Sequence, residues 1–202
     1  MRKTKIAVLV SGGGTNLQAL IDAQGSTLVS GEIALVVSNN AGAYALERAK
    51  KAGIETAVVL KKELGSQEAF ETRLKEILRS HGIEVIILAG FMTILTESFT
   101  ACYPKRILNV HPSLIPSFCG AGFYGLKVHQ AALDYGVKVT GATVHFVNEI
   151  PDGGEIIAQK AVEILPGDTP EILQRRVMEQ AEWILLPQAA ETVCAQLNKQ
   201  TN

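Results

Sequence analysis

The sequence predicts an α/β fold: a Rossmann-like three-layer sandwich with a mostly parallel sheet, helices on both faces and a late antiparallel strand. Three observations carry that expectation. Continuously apolar runs such as KIAVLVS (5–11) and VIILA (85–89) alternate with segments of helical spacing. That is the pattern of strands buried on both faces and joined by helical crossovers. A glycine-rich turn, SGGG, leads from the first run into the first helix. After residue 136 the pattern changes to two longer, more alternating strands, VKVTGATVHFV (137–147) and GEIIAQKAVEI (154–164), joined by NEIPDG.

Taken in order, strand 5–11 is followed by a helix from Asn16 to Ala23, then by strand EIALVVS (32–38) and an Ala-rich helix around 43–52. A strand near 55–60 precedes a helix over about 67–80, whose Phe70, Leu74, Ile77 and Leu78 share one face. VIILA (85–89) and ILNV (107–110) are two more buried strands. LKVHQAALDYG (126–136) is a helix closed by Gly136. Thr169 as cap and Pro170 in the first turn start a last helix that runs to about Leu197. No repeat, low-complexity run or linker interrupts the 202 residues, so one domain over 1–202 is expected.

Composition narrows the function. With 47% hydrophobic and 19% charged residues the chain is globular in character. A net charge of −1 with scattered basic residues excludes a general nucleic-acid binder. Cys102, Cys119 and Cys194 have no CxxC spacing, which argues against a zinc site or a disulfide framework and fits a reducing cytoplasm. MRKTKIAVLVSGGG has too short an apolar core for a secretory signal, and no run reaches the ~18 residues of a membrane span. The expectation is therefore a cytoplasmic protein without nucleic-acid or membrane partners.

The turn SGGGTN places Gly12 to Asn16 at a helix N-terminus, where free N–H groups and the helix dipole suit an anion. Its alternative role is a plain strand-to-helix turn. Leu17 stands where a dinucleotide fingerprint needs its third glycine, and the second strand ends Ser38-Asn39-Asn40 without a carboxylate. No Gly-Lys-Ser/Thr follows the turn, so a single small phosphate is the better ligand.

Asn109 and His111 leave the strand ILNVH on one face, at the carboxyl end where open α/β sheets bind ligands. Asp152 lies in PDGG, a turn able to aim a carboxylate into the same cleft. A carboxylate beside an imidazole favours its protonated form, and an amide donates to developing negative charge. This is equipment for acyl-type transfer without a covalent intermediate. Serine chemistry competes because Ser113 is near His111, but no G-x-S-x-G elbow is present. His129 and His145 read as packing or hydrogen-bonding residues, and His81 as a solvated imidazole at a helix end.

The order SGGGTNLQAL, LAGFMTIL (88–95), ILNVHPSLIPSF and TGATVHFVNEIPDGGEII resembles the phosphoribosylglycinamide formyltransferase (glycinamide ribonucleotide transformylase) family over almost the whole chain. The resemblance implies transfer of a formyl group from 10-formyltetrahydrofolate, a co-substrate, to the amine of 5-phosphoribosylglycinamide in purine biosynthesis. It implies Asn109, His111 and Asp152 as the catalytic trio. It also implies Gly14, Thr15, Asn16 and Glu182 as substrate-binding residues, and Gln67, Met92, Thr93, Ile94, Leu95, Asn109 and Val147 as folate-binding ones. No metal is implied, and a monomer or homodimer is expected.

Three departures from the family pattern stand out. Many relatives have Arg where Thr93 stands and some where Gln67 stands, which implies weaker contacts to the anionic folate tail. The run SFCGAGFYGLKVHQAAL is longer than usual after the HPS motif and lacks the Gly-x-His. RVMEQAEWILLP is one residue longer than the family pattern, and Glu182 is selected by counting back from Pro187. The competing expectations are a formyltetrahydrofolate hydrolase, an amino-sugar formyltransferase and a non-catalytic folate- or nucleotide-binding module. The hydrolase and a methionyl-tRNA formyltransferase are expected to carry extra domains.

Overall fold

A computed structural model describes residues 2–201. Its sheet has seven strands in the order β3-β2-β1-β4-β5-β6-β7. These are β1 (Thr4–Val10), β2 (Gly31–Ser38), β3 (Glu55–Val58), β4 (Val85–Leu88), β5 (Ile107–His111), β6 (Val139–Phe146) and β7 (Ile156–Glu163). Strands β1 to β5 pair in parallel, while β6 is antiparallel to both β5 and β7. The strand order reverses beside β1, which makes the carboxyl ends of β1 and β4 the crevice where such sheets bind ligands.

The apolar strands are continuous because each of their faces meets helices. Ile6, Val8 and Val10 of β1 join one core, and Ala7 and Leu9 the other. The first core is covered by α1 (Thr15–Ala23), α2 (Tyr44–Lys51), α7 (Pro170–Val177) and α8 (Trp183–Thr201). The second is covered by α4 (Gln67–Ser80) and the short α5 (Glu97–Thr100). A register shift in the β1–β2 ladder skips Ala34, so Ile33 and Leu35, two residues apart, serve opposite cores. Two one-turn helices, α3 (Lys61–Leu64) and α5, were invisible to periodicity because four residues cannot display it.

Helix α6 (Leu126–Tyr135) ends on Gly136 at φ 80°, as its sequence predicts. The expected single last helix is a finding to correct. It is α7, then a π-helical turn over Met178–Glu182, then α8. A π turn absorbs one extra residue by widening the helix. It falls in the segment that counting made one residue too long. Pro187, inside α8, has no N–H to give to the preceding turn.

Candidate active site

Strand β5 presents Asn109 and His111 on the face of Ile107, toward the α4–α5 side, while Leu108 and Val110 enter the opposite core. Strand β6 pairs Asn109 with His145 and His111 with Thr143, so two side chains distant in sequence join the same polar face. A bulge between Val144 and His145 in the β6–β7 ladder lies directly at this point.

The loop between β6 and β7 supplies Asp152. Gly154 is required there: a Cβ would lie 1.7 Å from the Phe146 carbonyl oxygen. Asp152 itself has φ 57°, a left-handed conformation that short polar residues tolerate best. Its Oδ2 lies 3.4 Å from His111 Nδ1 and accepts the Gly120 N–H at 2.9 Å. Its Oδ1 lies 3.6 Å from His145 Nε2 and accepts from Asn109 Nδ2 at 3.4 Å. Burial alone would raise this carboxyl's pKa. Hydrogen bonds from His145 and the Gly120 N–H, with the charges of His111 and His145, outweigh that penalty and hold it below its ordinary value.

His111 is 4% exposed, and its Nε2 faces the Phe118 carbonyl at 2.9 Å. The lengthened run after the HPS motif therefore gives the cluster two backbone contacts, Phe118 on His111 and Gly120 on Asp152. Asn109 Nδ2 also faces His145 Nε2 at 3.2 Å, while His145 Nδ1 faces the Phe146 carbonyl at 2.8 Å. His145, which the sequence marks as a packing or hydrogen-bonding residue, thus meets Asn109 and Asp152 in this cluster. The signal was the β5–β6 register, which no local pattern reports. His129, fully buried, has no hydrogen-bond partner on either ring nitrogen. Burial first, then the neighbouring charge of His111, lowers its pKa to about 4 and keeps it neutral.

Ser113 is fully buried and donates to the Ser117 carbonyl at 2.5 Å, which makes it a turn residue and not a nucleophile. Cys119 donates to the Pro116 carbonyl, and burial followed by the Asp152 charge raises its pKa, so the thiol stays protonated.

A cleft of about 130 Å³ opens against Asn109, His145 and Asp152. Met92, Thr93, Ile94 and Leu95 form one wall and Val147 to Asp152 the other. Gln67 is not in the lining; its amide donates to Glu71 and to the Ile94 carbonyl. Thr93 accepts from Asn39 Nδ2 at 2.8 Å.

Across the crevice, Gly14 caps α1 at φ 74°, and a Cβ there would meet Ala45 Cβ at 2.6 Å. The carbonyls of Gly12, Gly13 and Gly14 accept from Ala45 N, Arg48 Nε and Gln18 N. The first N–H groups of α1 have no partners within the helix. Gly14 occupies the cap position of α1, and no side chain caps it. Thr15 instead lines a separate cavity of about 430 Å³ with Gln18, Arg48 and Trp183. Asn16 Nδ2 donates to Glu182 Oε2 at 2.7 Å, so the structure brings these two expected substrate residues together. Glu182 is 4% exposed, and burial raises its pKa against the opposing bond from Asn16.

A switched α/β sheet whose carboxyl edge gathers an imidazole, a carboxylate and an amide between a glycine loop and a cleft has the architecture of a Rossmann-like group-transfer enzyme. The chain belongs to the formyl transferase family, whose sequence profile matches residues 4–189. It is 46% identical to the phosphoribosylglycinamide formyltransferase of Haemophilus influenzae over 176 residues, 87% of this chain and 81% of that protein. It is 47% identical to the trifunctional purine biosynthetic protein adenosine-3 of Gallus gallus over 96% of this chain, but spans only 19% of that relative's length. The crystal structure of glycinamide ribonucleotide transformylase 1 from Symbiobacterium toebii superposes with a TM-score of 0.89 at 41% identity, covering 96% of this chain and 89% of that one. Among the described residues, no helix is long and apolar enough to cross a membrane.

Proposed function

We propose that this chain transfers the formyl group of 10-formyltetrahydrofolate to the amine of 5-phosphoribosylglycinamide, a step of purine biosynthesis, as one formyltransferase domain in a reducing, cytoplasmic compartment. The observation that carries this reading is the convergence of Asn109, His111 and Asp152 between the cleft at residues 92–95 and the glycine loop. The names and lengths of the Haemophilus and Symbiobacterium relatives support it.

In this mechanism the folate ring system occupies the cleft lined by Met92, Thr93, Ile94, Leu95 and Val147, with Asn109 at its inner end. The substrate phosphate sits on the N–H groups of Gly14, Thr15 and Asn16, and Glu182 contacts its polar body. The amine lone pair forms a bond to the formyl carbon, and the carbonyl electrons move to oxygen. Asn109 Nδ2 stabilises that oxyanion by exchanging its long 3.4 Å contact with Asp152 for a stronger one. His111, between the Asp152 carboxylate and a carbonyl, donates its proton to the folate nitrogen as the tetrahedral intermediate collapses, and recovers one from the amine by way of Asp152. The bond to the folate nitrogen breaks, and that nitrogen takes the His111 proton. The attacking amine loses one, with the Asp152 carboxylate as its nearby acceptor. No covalent enzyme intermediate is required.

The test incubates the protein with 10-formyltetrahydrofolate, with and without phosphoribosylglycinamide, and follows formylated product and free formate. Product that depends on the amine is expected. Formate release indifferent to the amine would identify a hydrolase and overturn the transferase reading.

A further inference from the structure

Glu71 is a buried carboxylate, 3% exposed, with no part in the acid–base cluster. It lies on α4 and turns toward residues 91–96, a stretch without a helix or strand of its own before α5 begins at Glu97. Backbone groups in such a stretch have no ladder to satisfy them and depend on side chains. Glu71 Oε1 accepts the Thr96 N–H at 2.8 Å and the Gln67 amide at 2.7 Å. Its Oε2 accepts the Thr96 hydroxyl at 2.5 Å, and Gln67 Nε2 also donates to the Ile94 carbonyl at 3.1 Å. At the other end, Ser11 Oγ accepts the Met92 N–H at 2.9 Å, which ties the stretch to the glycine loop. Leu95, 5% exposed, is anchored by its own burial.

A buried charge held only by neutral donors is costly to keep, so its bonds must do something an apolar residue could not. Here they fix both the N–H and the side chain of one residue while the helper amide fixes a carbonyl two residues away. We propose that Glu71, acting with Gln67, is a positioning residue that holds Ile94 to Thr96 in the shape the formyl donor's flat ring system needs, without touching the donor. This rests on the reading of the neighbouring cleft as the donor site. Gln67 accordingly serves the donor through the backbone of Ile94 and not through a direct contact. Displacements of a fraction of an ångström in such a wall weaken productive binding.

The experiment compares Glu71→Leu, Glu71→Gln, Gln67→Leu and Thr96→Val with wild type. Glu71→Gln keeps an oxygen for Thr96 N–H and Gln67 and offers an amide proton to the Thr96 hydroxyl. We expect Glu71→Leu to raise KM for the formyl donor about tenfold while KM for the amine substrate stays within about twofold. Glu71→Gln restores most of the donor affinity, and Gln67→Leu and Thr96→Val shift the same constant by smaller factors. Where Glu71→Leu does not fold, the last two variants decide the matter. Unchanged donor KM in the folded variants, or equal changes for both substrates, overturns the proposal. Hydrogen exchange of the amides at 92–96, measured without substrates, separates this idea from the functional reading. Faster exchange in the variants supports the brace even if wild type fails to transfer formyl. Unchanged exchange removes the brace whatever the activity.

Discussion

Asp152 holds the acid–base cluster together through four contacts, from His111, His145, Asn109 and the Gly120 N–H. Asp152→Asn keeps the volume and removes the charge. Turnover should fall about 10²- to 10⁴-fold, the range of acid–base groups, while the thermal midpoint moves little. Steady-state kinetics alongside a melting curve check this, and wild-type turnover would remove Asp152 from the mechanism. Two residues on, Gly154→Ala drives a Cβ into the Phe146 carbonyl oxygen, a backbone atom that cannot step aside. A loss of at least about 2 kcal/mol is expected in denaturant unfolding, together with loss of activity, because the same loop carries Asp152. Glu182 shows the opposite balance of stability and function. Its folded pKa is raised, so folding binds a proton the unfolded chain has already released, and stability falls as pH rises from the ordinary value of 4.5. Glu182→Gln keeps the acceptor for Asn16 without that cost. Its stability advantage should be absent below pH 4.5 and widen above it, read as the difference in melting temperature across a pH series. A constant difference would show that the carboxyl is not the source.

At the scale of elements, the start of α7 and the widened turn after it decide where Glu182 lies. Thr169 Oγ accepts the Ile172 N–H at 3.3 Å, and Asp168 grips Arg176 through both oxygens while accepting the Leu165 N–H. The bond from Arg176, assisted by Leu165, pulls the Asp168 carboxyl below its ordinary pKa despite burial. Asp168→Ala leaves Arg176 only its bond to the Glu163 carbonyl and should cost about 1.5–3 kcal/mol in denaturant unfolding, the range for charge-assisted bonds. A change under about 0.5 kcal/mol would mark the pair as a solvated surface contact. The Thr169-Pro170 start was legible because cap chemistry is local. The π turn at Met178–Glu182 was legible only as a counting anomaly, since the residues of a widened turn look helical. Helix α4 matched its predicted bounds because an apolar stripe over 14 residues and a Ser66 cap agree with each other. The short helices α3 and α5 carried no comparable signal.

For the whole molecule, the glycine loop and the cleft are built by opposite sides of the switch point, from β1 and from the β4–β5–β6 edge. Each ligand should therefore stabilise the same cooperative unit. At a hundred times its Kd, either substrate alone should add roughly 2.7 kcal/mol. For a chain of this size that raises the melting temperature by about 5–10 °C. Thermal shift with the amine substrate and with a non-reactive folate analogue checks this. A shift with neither would withdraw both ligands from the proposed site.

The sequence by itself determined the parallel strands, the glycine loop, the pairing of Asn109 and His111 on one face, and PDGG as the turn that bears a carboxylate. Each of these follows from periodicity, cap chemistry or backbone permissiveness, which act within a few residues. Tertiary structure alone decided that β6 runs antiparallel beside β5 and sets His145 against Asn109. It also decided that residues 118 and 120 reach the cluster through backbone groups, that Asn16 turns from the glycine loop to Glu182, and that Gln67 reaches the Ile94 carbonyl. Those partners are 32 to 166 positions apart in two of the cases. Their choice depends on which buried donor and acceptor must satisfy each other once the layers have packed, and no local pattern carries that information.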